Sequence, residues 1–266
     1  MDILDEIVAH KHEELREQKT VVAPDELYKM VEREINEGSR RVLSMRKSLL
    51  HSTSGIIAEF KRKSPSRGWI HEDAMVEDVV RQYENGGAAA LSILTDNHFF
   101  GGDLRFIRKV RPCVNIPILR KDFIIDEYQL FQARLIGADA VLLIAADLSV
   151  DALRSLARTA HQLGLETLLE VHRESELEYI TDDIDMIGVN NRNLGTFTVD
   201  VGNSIRMSRV LPANLPWVSE SGIDSVEAIA ELRCLGFKGF LIGEAFMRTK
   251  EPGQALKDFI SKLDSI

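Results

Sequence analysis

The run Ile56-Ile57-Ala58-Glu59-Phe60-Lys61-Arg62-Lys63-Ser64-Pro65-Ser66 begins apolar and ends charged. Its first half has the composition of a strand. Strand side chains alternate faces, so Glu59 and Lys61 share one face and Ala58 and Phe60 the other. A carboxylate and an ammonium therefore stand side by side at the C-terminal end of a buried strand. For one strand, an end running into solvent explains this equally well. The same ending recurs further along the chain.

From Ser54 onward, short apolar runs alternate with longer amphipathic segments. The runs lie at 56–60, 89–94, 116–119, 140–144, 167–171, 186–189, 217–219 and 240–242, making eight candidate strands. Helical patterns lie between them at 74–84, 127–136, 150–163, 225–235 and 254–263. Continuous apolar runs alternating with helices indicate parallel strands covered on their outer side. Eight such units in this length predict an α/β fold, a (β/α)8 TIM barrel. A doubly wound open sheet is the alternative. Gly86-Gly87, Gly137 and Gly236 precede strands, each placed to end a helix.

Residues 1–50 are polar, with Ile3, Leu4, Ile7 and Leu15 at helical intervals. Pro24 and Asp25 break the pattern. Asp25 reads as an N-cap, followed by Leu27, Met30, Val31 and Ile35 as an apolar stripe. Two or three helices are expected, forming an N-terminal extension packed on a single domain that spans 1–266. No linker composition separates the two.

A chain of 266 residues, 44% hydrophobic and 28% charged, has the size and composition for one large globular domain. A net charge of −9 argues against nucleic acid. The two cysteines, Cys113 and Cys234, sit in no metal-like cluster, which suits a reduced, cytoplasmic setting. The histidines show no metal-ligand spacing. No apolar run is long enough to span a membrane, and the first fourteen residues are too charged for a signal peptide.

In a (β/α)8 barrel the active site lies at the C-terminal ends of the strands. Read in order, those ends are Glu59 and Lys61; Thr95-Asp96-Asn97-His98-Phe99-Phe100-Gly101-Gly102; Arg120-Lys121-Asp122-Phe123; Glu170; Asn190-Asn191-Arg192-Asn193; Ser219-Glu220-Ser221-Gly222; and Gly243-Glu244. So many charged and amide endings converging on one mouth point to catalysis. Glycines after strands 7 and 8 suit a phosphate bound by backbone N–H groups. Phe99, Phe100 and Phe123 could line a slot for a flat ring.

These motifs, with Ala58-Glu59-Phe60-Lys61-Arg62-Lys63-Ser64-Pro65-Ser66, Lys121-Asp122-Phe123, Gly188-Val189-Asn190-Asn191-Arg192-Asn193-Leu194 and Ser219-Glu220-Ser221-Gly222 foremost, resemble those of the indole-3-glycerol phosphate synthase family. The resemblance covers essentially the whole chain. It implies a carboxy-lyase of tryptophan biosynthesis that closes the ring of 1-(2-carboxyphenylamino)-1-deoxyribulose 5-phosphate, losing carbon dioxide and water, with no cofactor. It further implies Lys121 as general acid, Glu170 as general base, and Glu59 as the partner that orients Lys121. Lys61 would contact anionic parts of the substrate and serve as a second acid. Asn190 and Glu220 would hydrogen-bond sugar hydroxyls or the anilino nitrogen, Phe100 and Phe123 flank the anthranilate ring, and Ser64 and Arg192 contact the carboxylate or sugar. Ser221, Gly222, Gly243 and Glu244 would cradle the phosphate, Glu244 only through its backbone N–H.

Lys61, Arg62, Lys63, Arg67, Lys121 and Arg192 fall at the predicted mouth, a local positive field within an acidic protein. One departure from the family pattern is Asp103, which takes a place usually held by Ser; an effect on loop docking is expected. A monomer or weak homo-oligomer is expected. Three rivals stay open: a Schiff-base aldolase using Lys121 or Lys61, a sugar-phosphate isomerase of the same fold, and a non-catalytic phosphosugar-binding protein. Which lysine protonates which oxygen is also open at this stage.

Overall fold

A computed structural model of the chain describes residues 3–38, 40–193 and 198–265; Leu194 of the motif quoted above lies outside them. Eight parallel strands close into a barrel. They are β1 (Ile56–Phe60), β2 (Ala90–Leu94), β3 (Ile118–Lys121), β4 (Ala140–Ile144), β5 (Glu166–Val171), β6 (Met186–Asn190), β7 (Trp217–Glu220) and β8 (Gly239–Ile242). Each pairs with its chain neighbours, and β1 closes on β8 with Ile57 opposite Leu241. The expected barrel is therefore formed and the open sheet is not.

Strand alternation builds two apolar layers. Ile56, Ala58 and Phe60 of β1 join the layer between barrel and helices, while Ile57 joins the barrel interior with Leu119, Leu142, Leu168 and Leu241. The third strand is shifted from the expected 116–119 to Ile118–Lys121. Its approach, Ile116-Pro117, lacks one backbone donor at Pro117, and pairing starts just after it. Left-handed glycines end helices as expected at Gly137 (φ 100°) and Gly236 (φ 110°); at the first site Gly87 (φ 98°) takes this role, and Gly86 does not.

Three helices precede β1: α1 (Ile3–Val21), α2 (Pro24–Asn36) and α3 (Met45–His51). The N-cap of α2 is Ala23, not Asp25. Pro24 takes the first helical position, where its missing N–H costs nothing, and Asp25 sits in the first turn near the positive end of the dipole. Of the expected stripe, Leu27 and Val31 are buried, but Met30 and Ile35 are exposed. Met45 and Leu49 of α3 pack into the interior layer beneath the strands.

Helix α1 crosses the mouth and is held there by charge. Lys11, buried to 1% exposure, places Nζ 2.9 Å from Asp96 and 3.0 Å from Asp122, just beyond β2 and β3, and 2.7 Å from Glu14. Arg120 also reaches Asp122, at 2.8 Å. Burial alone would raise the Asp122 carboxyl; Lys11 and Arg120 outweigh it and bring it down to about 2.

The remaining helices are α4 (Val76–Asn85), α5 (Leu104–Val110), α6 (Glu127–Ile136), α7 (Val150–Gln162), α8 (Gly202–Met207), α9 (Val226–Cys234), α10 (Glu244–Met247) and α11 (Pro252–Leu263). A small antiparallel hairpin, Lys63–Ser64 with Gly68–Trp69, follows β1 and has no counterpart in the apolar pattern. Asp103 is the N-cap of α5, its side chain accepting from the Arg105 N–H. Asp and Ser both cap helices well, so Asp103 can fill the capping role that a Ser would have here.

Candidate active site

Four ionisable side chains enter the barrel from alternate strands: Glu59 on β1, Lys121 on β3, Glu170 on β5 and Glu220 on β7. In barrels of this kind, alternate strands supply each four-residue layer, usually of branched apolar side chains. Here the uppermost layer is charged. Lys121 Nζ lies 3.4 Å from Glu170 Oε2 and 3.8 Å from Glu220 Oε2. Glycines make room for the carboxylates. A Cβ at Gly188 would sit 2.1 Å from Glu220 Oε1, and one at Gly243 would sit 2.7 Å from Glu59 Oε1.

The expected direct pair between Glu59 and Lys121 is not formed. Lys61, two residues along the same face, reaches Glu59 Oε1 at 2.8 Å, and Ser92 donates to Oε2 at 3.1 Å. Lys121 acts on Glu59 only through space. Asn190 donates to Glu170 Oε1 at 2.9 Å, while its own Oδ1 accepts from the Arg192 N–H. It holds the carboxylate in position.

The layer splits the carboxyls. Burial raises all three; Lys61 and then Lys121 overcome it at Glu59, and Lys121 with His172 overcomes it at Glu170, leaving both below the ordinary range. At Glu220, burial and the neighbouring Glu170 carboxylate win, and its pKa is pushed up to about 8. Burial works against the charged Lys121, but Glu170, Glu220 and Glu59 together hold its ammonium above the usual lysine range. The layer thus pulls its two neighbouring carboxyls apart, Glu170 toward the ionised form and Glu220 toward the neutral one, beside a Lys121 held toward its charged form. Groups whose environments drive their proton affinities apart are suited to acid and base roles.

A cleft of about 650 Å³ opens above this layer. The fourteen residues given roles by the family resemblance all line it: Glu59, Lys61, Ser64, Phe100, Lys121, Phe123, Glu170, Asn190, Arg192, Glu220, Ser221, Gly222, Gly243 and Glu244. Phe100 and Phe123, with ring centroids 5.9 Å apart and planes tilted by 35°, form one wall. Phe99 does not join them; it is buried against His10 and His98. Opposite, Ser221 (φ 67°) and Gly222 (φ 76°) are consecutive left-handed residues. A left-handed serine stores strain, which concentrates at functional turns. Asn191 braces this turn, donating to the Ser221 carbonyl and to Ser219 Oγ.

Two of the expected mouth cations point elsewhere. Arg62 bonds the Gly101 carbonyl and lies over the Phe106 ring, and Lys63 bonds the His98 carbonyl. Both pin the loop after β1 to the loop after β2. The Glu244 side chain also has a partner role not foreseen: Arg67 reaches it at 3.2 Å and Arg192 at 3.9 Å. Sequence reasoning missed Gly188, Asn191 and Arg248, the last a lining residue. Gly188 and Asn191 lay within a quoted motif, but nothing local marks a glycine as space for another strand's carboxylate. Ile3, Leu4 and Ile7 were visible only as a helical stripe, yet they line the cleft.

A closed parallel barrel with this charged layer at its C-terminal mouth is the architecture of a (β/α)8-barrel enzyme. The family model for indole-3-glycerol phosphate synthase matches residues 4–259. A protein of that name from Bacteroides thetaiotaomicron is 54% identical over 264 residues, covering 98% of this chain and 99% of that protein. Another of that name, from Carboxydothermus hydrogenoformans, is 41% identical, covering 96% and 98%. The chain belongs to the indole-3-glycerol phosphate synthase family. Among solved structures, a tryptophan synthase subunit alpha from Legionella pneumophila is similar with a TM-score of 0.61 at 16% identity, over 84% of this chain and 98% of that one. A mutant alpha-subunit from Pyrococcus furiosus gives 0.60, also at 16% identity, over 80% and 98%. These two likenesses concern the fold alone.

Proposed function

We propose that this chain converts 1-(2-carboxyphenylamino)-1-deoxyribulose 5-phosphate to indole-3-glycerol phosphate, with Lys121 as the acid and Glu170 as the base. The observation that carries the assignment is the Lys121–Glu170–Glu220 contact at the floor of a cleft walled by Phe100 and Phe123. Attack of the carboxyl-bearing ring carbon on the ketone puts negative charge on the ketone oxygen, and an ammonium held charged can protonate it. Carbon dioxide then leaves, returning its bonding pair to the ring. Loss of the hydroxyl as water needs a second proton on that oxygen, and an ionised carboxylate removes the proton from the neighbouring carbon. Two protons go onto oxygen and one comes off carbon, so each turnover takes up one proton from solvent.

Lys61 and the neutral Glu220 are the candidates for the second proton. Arg67, Arg192 and the turn at Ser221-Gly222, with Gly243 and Glu244, serve the phosphate; Ser64 and Arg192 serve the carboxylate or sugar. The α1 helix contributes Ile3, Leu4 and Ile7 to the cleft, so the extension and the barrel work as one unit of 1–266. Cytoplasmic location and a monomer or weak homo-oligomer fit a small-molecule biosynthetic role without a membrane or nucleic-acid partner.

A fluorescence assay for the indole product with purified protein and the synthetic substrate tests the reading; absence of product sinks it. The aldolase alternative needs a neutral, nucleophilic lysine. Lys121 faces three carboxyl groups that favour its charged form, which supports acid catalysis instead. Borohydride trapping of an adduct would reverse that preference.

A further inference from the structure

His172 lies two residues beyond Glu170, in the same inward-facing row and just past the end of β5. Its ring stands between two carboxylates. Nε2 is 3.6 Å from Glu170 Oε1, and Nδ1 is 3.8 Å from Glu176 Oε2. Both ring nitrogens are buried and neither has a hydrogen-bond partner. Burying polar nitrogens unsatisfied costs free energy, so the placement calls for a reason.

The surroundings keep the ring in place. Glu176 Oε2 accepts from the His172 backbone N–H at 2.6 Å, and Arg173 ties down Glu176 Oε1 at 2.7 Å. Asn203 donates to the His172 carbonyl at 3.1 Å. Asn190 donates to the same Glu170 oxygen, Oε1, that His172 faces, while Lys121 meets the other oxygen, Oε2, with Glu220 beyond Lys121. The charged groups around the imidazole are thus Glu170, Glu176 and Arg173, and Lys121 and Glu220 face it through Glu170.

We propose that His172 is a positioning residue for this reaction: its ring, held between Glu170 and Glu176, aims the Glu170 carboxylate at the proton it accepts. The inference rests on the acid–base reading of Glu170 given above. The gaps of 3.6 and 3.8 Å lie just beyond hydrogen-bond range, and contacts of this kind commonly tighten when substrate binds. After Lys121, His172 is the largest charge opposing the effect of burial on Glu170. Removing it makes Glu170 bind a proton more readily, so activity fails at a higher pH.

The test compares His172→Leu and His172→Asn with the wild type. The acid limb of kcat/KM is expected to move up by about one pH unit in both, the scale of one nearby charge. In His172→Leu, kcat is expected to fall about ten- to a hundredfold with KM little changed. Asn restores a hydrogen-bond donor but no charge, so it recovers part of kcat without restoring the limb. A carbon-13 NMR titration of the Glu170 carboxyl in the free protein reads the same upward shift without turnover. A wild-type chain that makes no indole product overturns the parent reading, and the titration still decides this one. An unmoved Glu170 titration in folded His172→Asn overturns the proposal and leaves His172 a structural residue.

Discussion

The Lys121 ammonium lies 3.4 Å from Glu170 Oε2, although the two residues come from strands separated by β4. The contact gives one group a proton to donate and the other a vacant lone pair, within reach of the same substrate. Lys121→Met and Glu170→Gln should each lower kcat by about 10²- to 10⁴-fold. KM should change little, because the ring and phosphate contacts lie elsewhere. The two residues act as a unit, so the double variant should lose little beyond the worse single one. Steady-state kinetics on folded variants decides this, and near-normal kcat in either assigns that residue a structural role.

The alkaline limb of activity should belong to Glu220. Its carboxyl is raised to about 8, so it is neutral below that pH and gains charge as pH rises through it. Lys121, raised above the ordinary lysine range, stays charged throughout this window. Because Glu170 raises Glu220, the limb should shift when either carboxyl is removed. Glu220→Gln should abolish it and leave the acid limb, set by Glu170, in place. A kcat/KM profile whose alkaline limb persists unchanged in Glu220→Gln would assign that limb to another group.

Gly188→Ala should impair catalysis more than binding. Its Cβ would fall 2.1 Å from Glu220 Oε1, forcing that carboxyl off its position beside Lys121. A 1 Å misplacement of this kind can cost about 10²-fold in kcat. Gly243→Ala meets Glu59 Oε1 in the same way, so it cannot serve as a clean probe of phosphate binding. An unchanged kcat in folded Gly188→Ala would show that Glu220 has room to spare.

Gly222→Ala is the better probe of the turn after β7. It places a side chain at φ 76° and against Val199 Cγ1, a combination that destabilises the turn by about 1–3 kcal/mol. If this turn holds the phosphate, KM should rise several-fold with kcat largely kept. Competition by inorganic phosphate, measured on wild type and variant, separates a phosphate effect from a general loss. Equal inhibition constants would move the phosphate elsewhere.

Lys11→Met should destabilise the fold by about 3–5 kcal/mol, because it removes the buried cation that Asp96 and Asp122 share and leaves Asp122 with Arg120 alone. The pH dependence has a definite sign. Asp122 is lowered in the folded state to about 2, so its contribution is present above the unfolded value near about 4 and is lost as pH falls between the two. Lys11 is raised, so its part is lost only at strongly alkaline pH. Denaturant unfolding should show an acid-side decline in wild type that is flatter in Lys11→Met. Identical slopes would show that the buried cluster does not couple to folding.

Particular residues show why much of the site was legible early. Short apolar runs ending in Glu59, Lys121, Glu170 and Glu220 carry both the strand period and the break in it. Since barrel function collects at strand ends, those residues could be named without coordinates. Local backbone chemistry was legible too where a residue type is demanded, as at Gly137 and Gly236. Asp25 was misread because capping depends on where the helix starts, and with Pro24 as its first residue the helix starts two residues earlier than an Asp25 cap implies.

By itself, then, the sequence determined the order of strands and helices, the side of the barrel that carries chemistry, and which residues stand there. All of these are periodic or local properties of the chain. Tertiary structure alone decided which charges pair. Glu59 went to Lys61 rather than Lys121, Lys121 went to Glu170 and Glu220, and Arg62 and Lys63 turned away to pin a loop. The stagger of strands around a closed barrel sets which side chains share a layer, and no single strand encodes it. Burial within that layer then decides which carboxyl keeps its proton. Glu220 and Glu170 are the same residue type at the same kind of strand end, and their shared enclosure around Lys121 drives them apart.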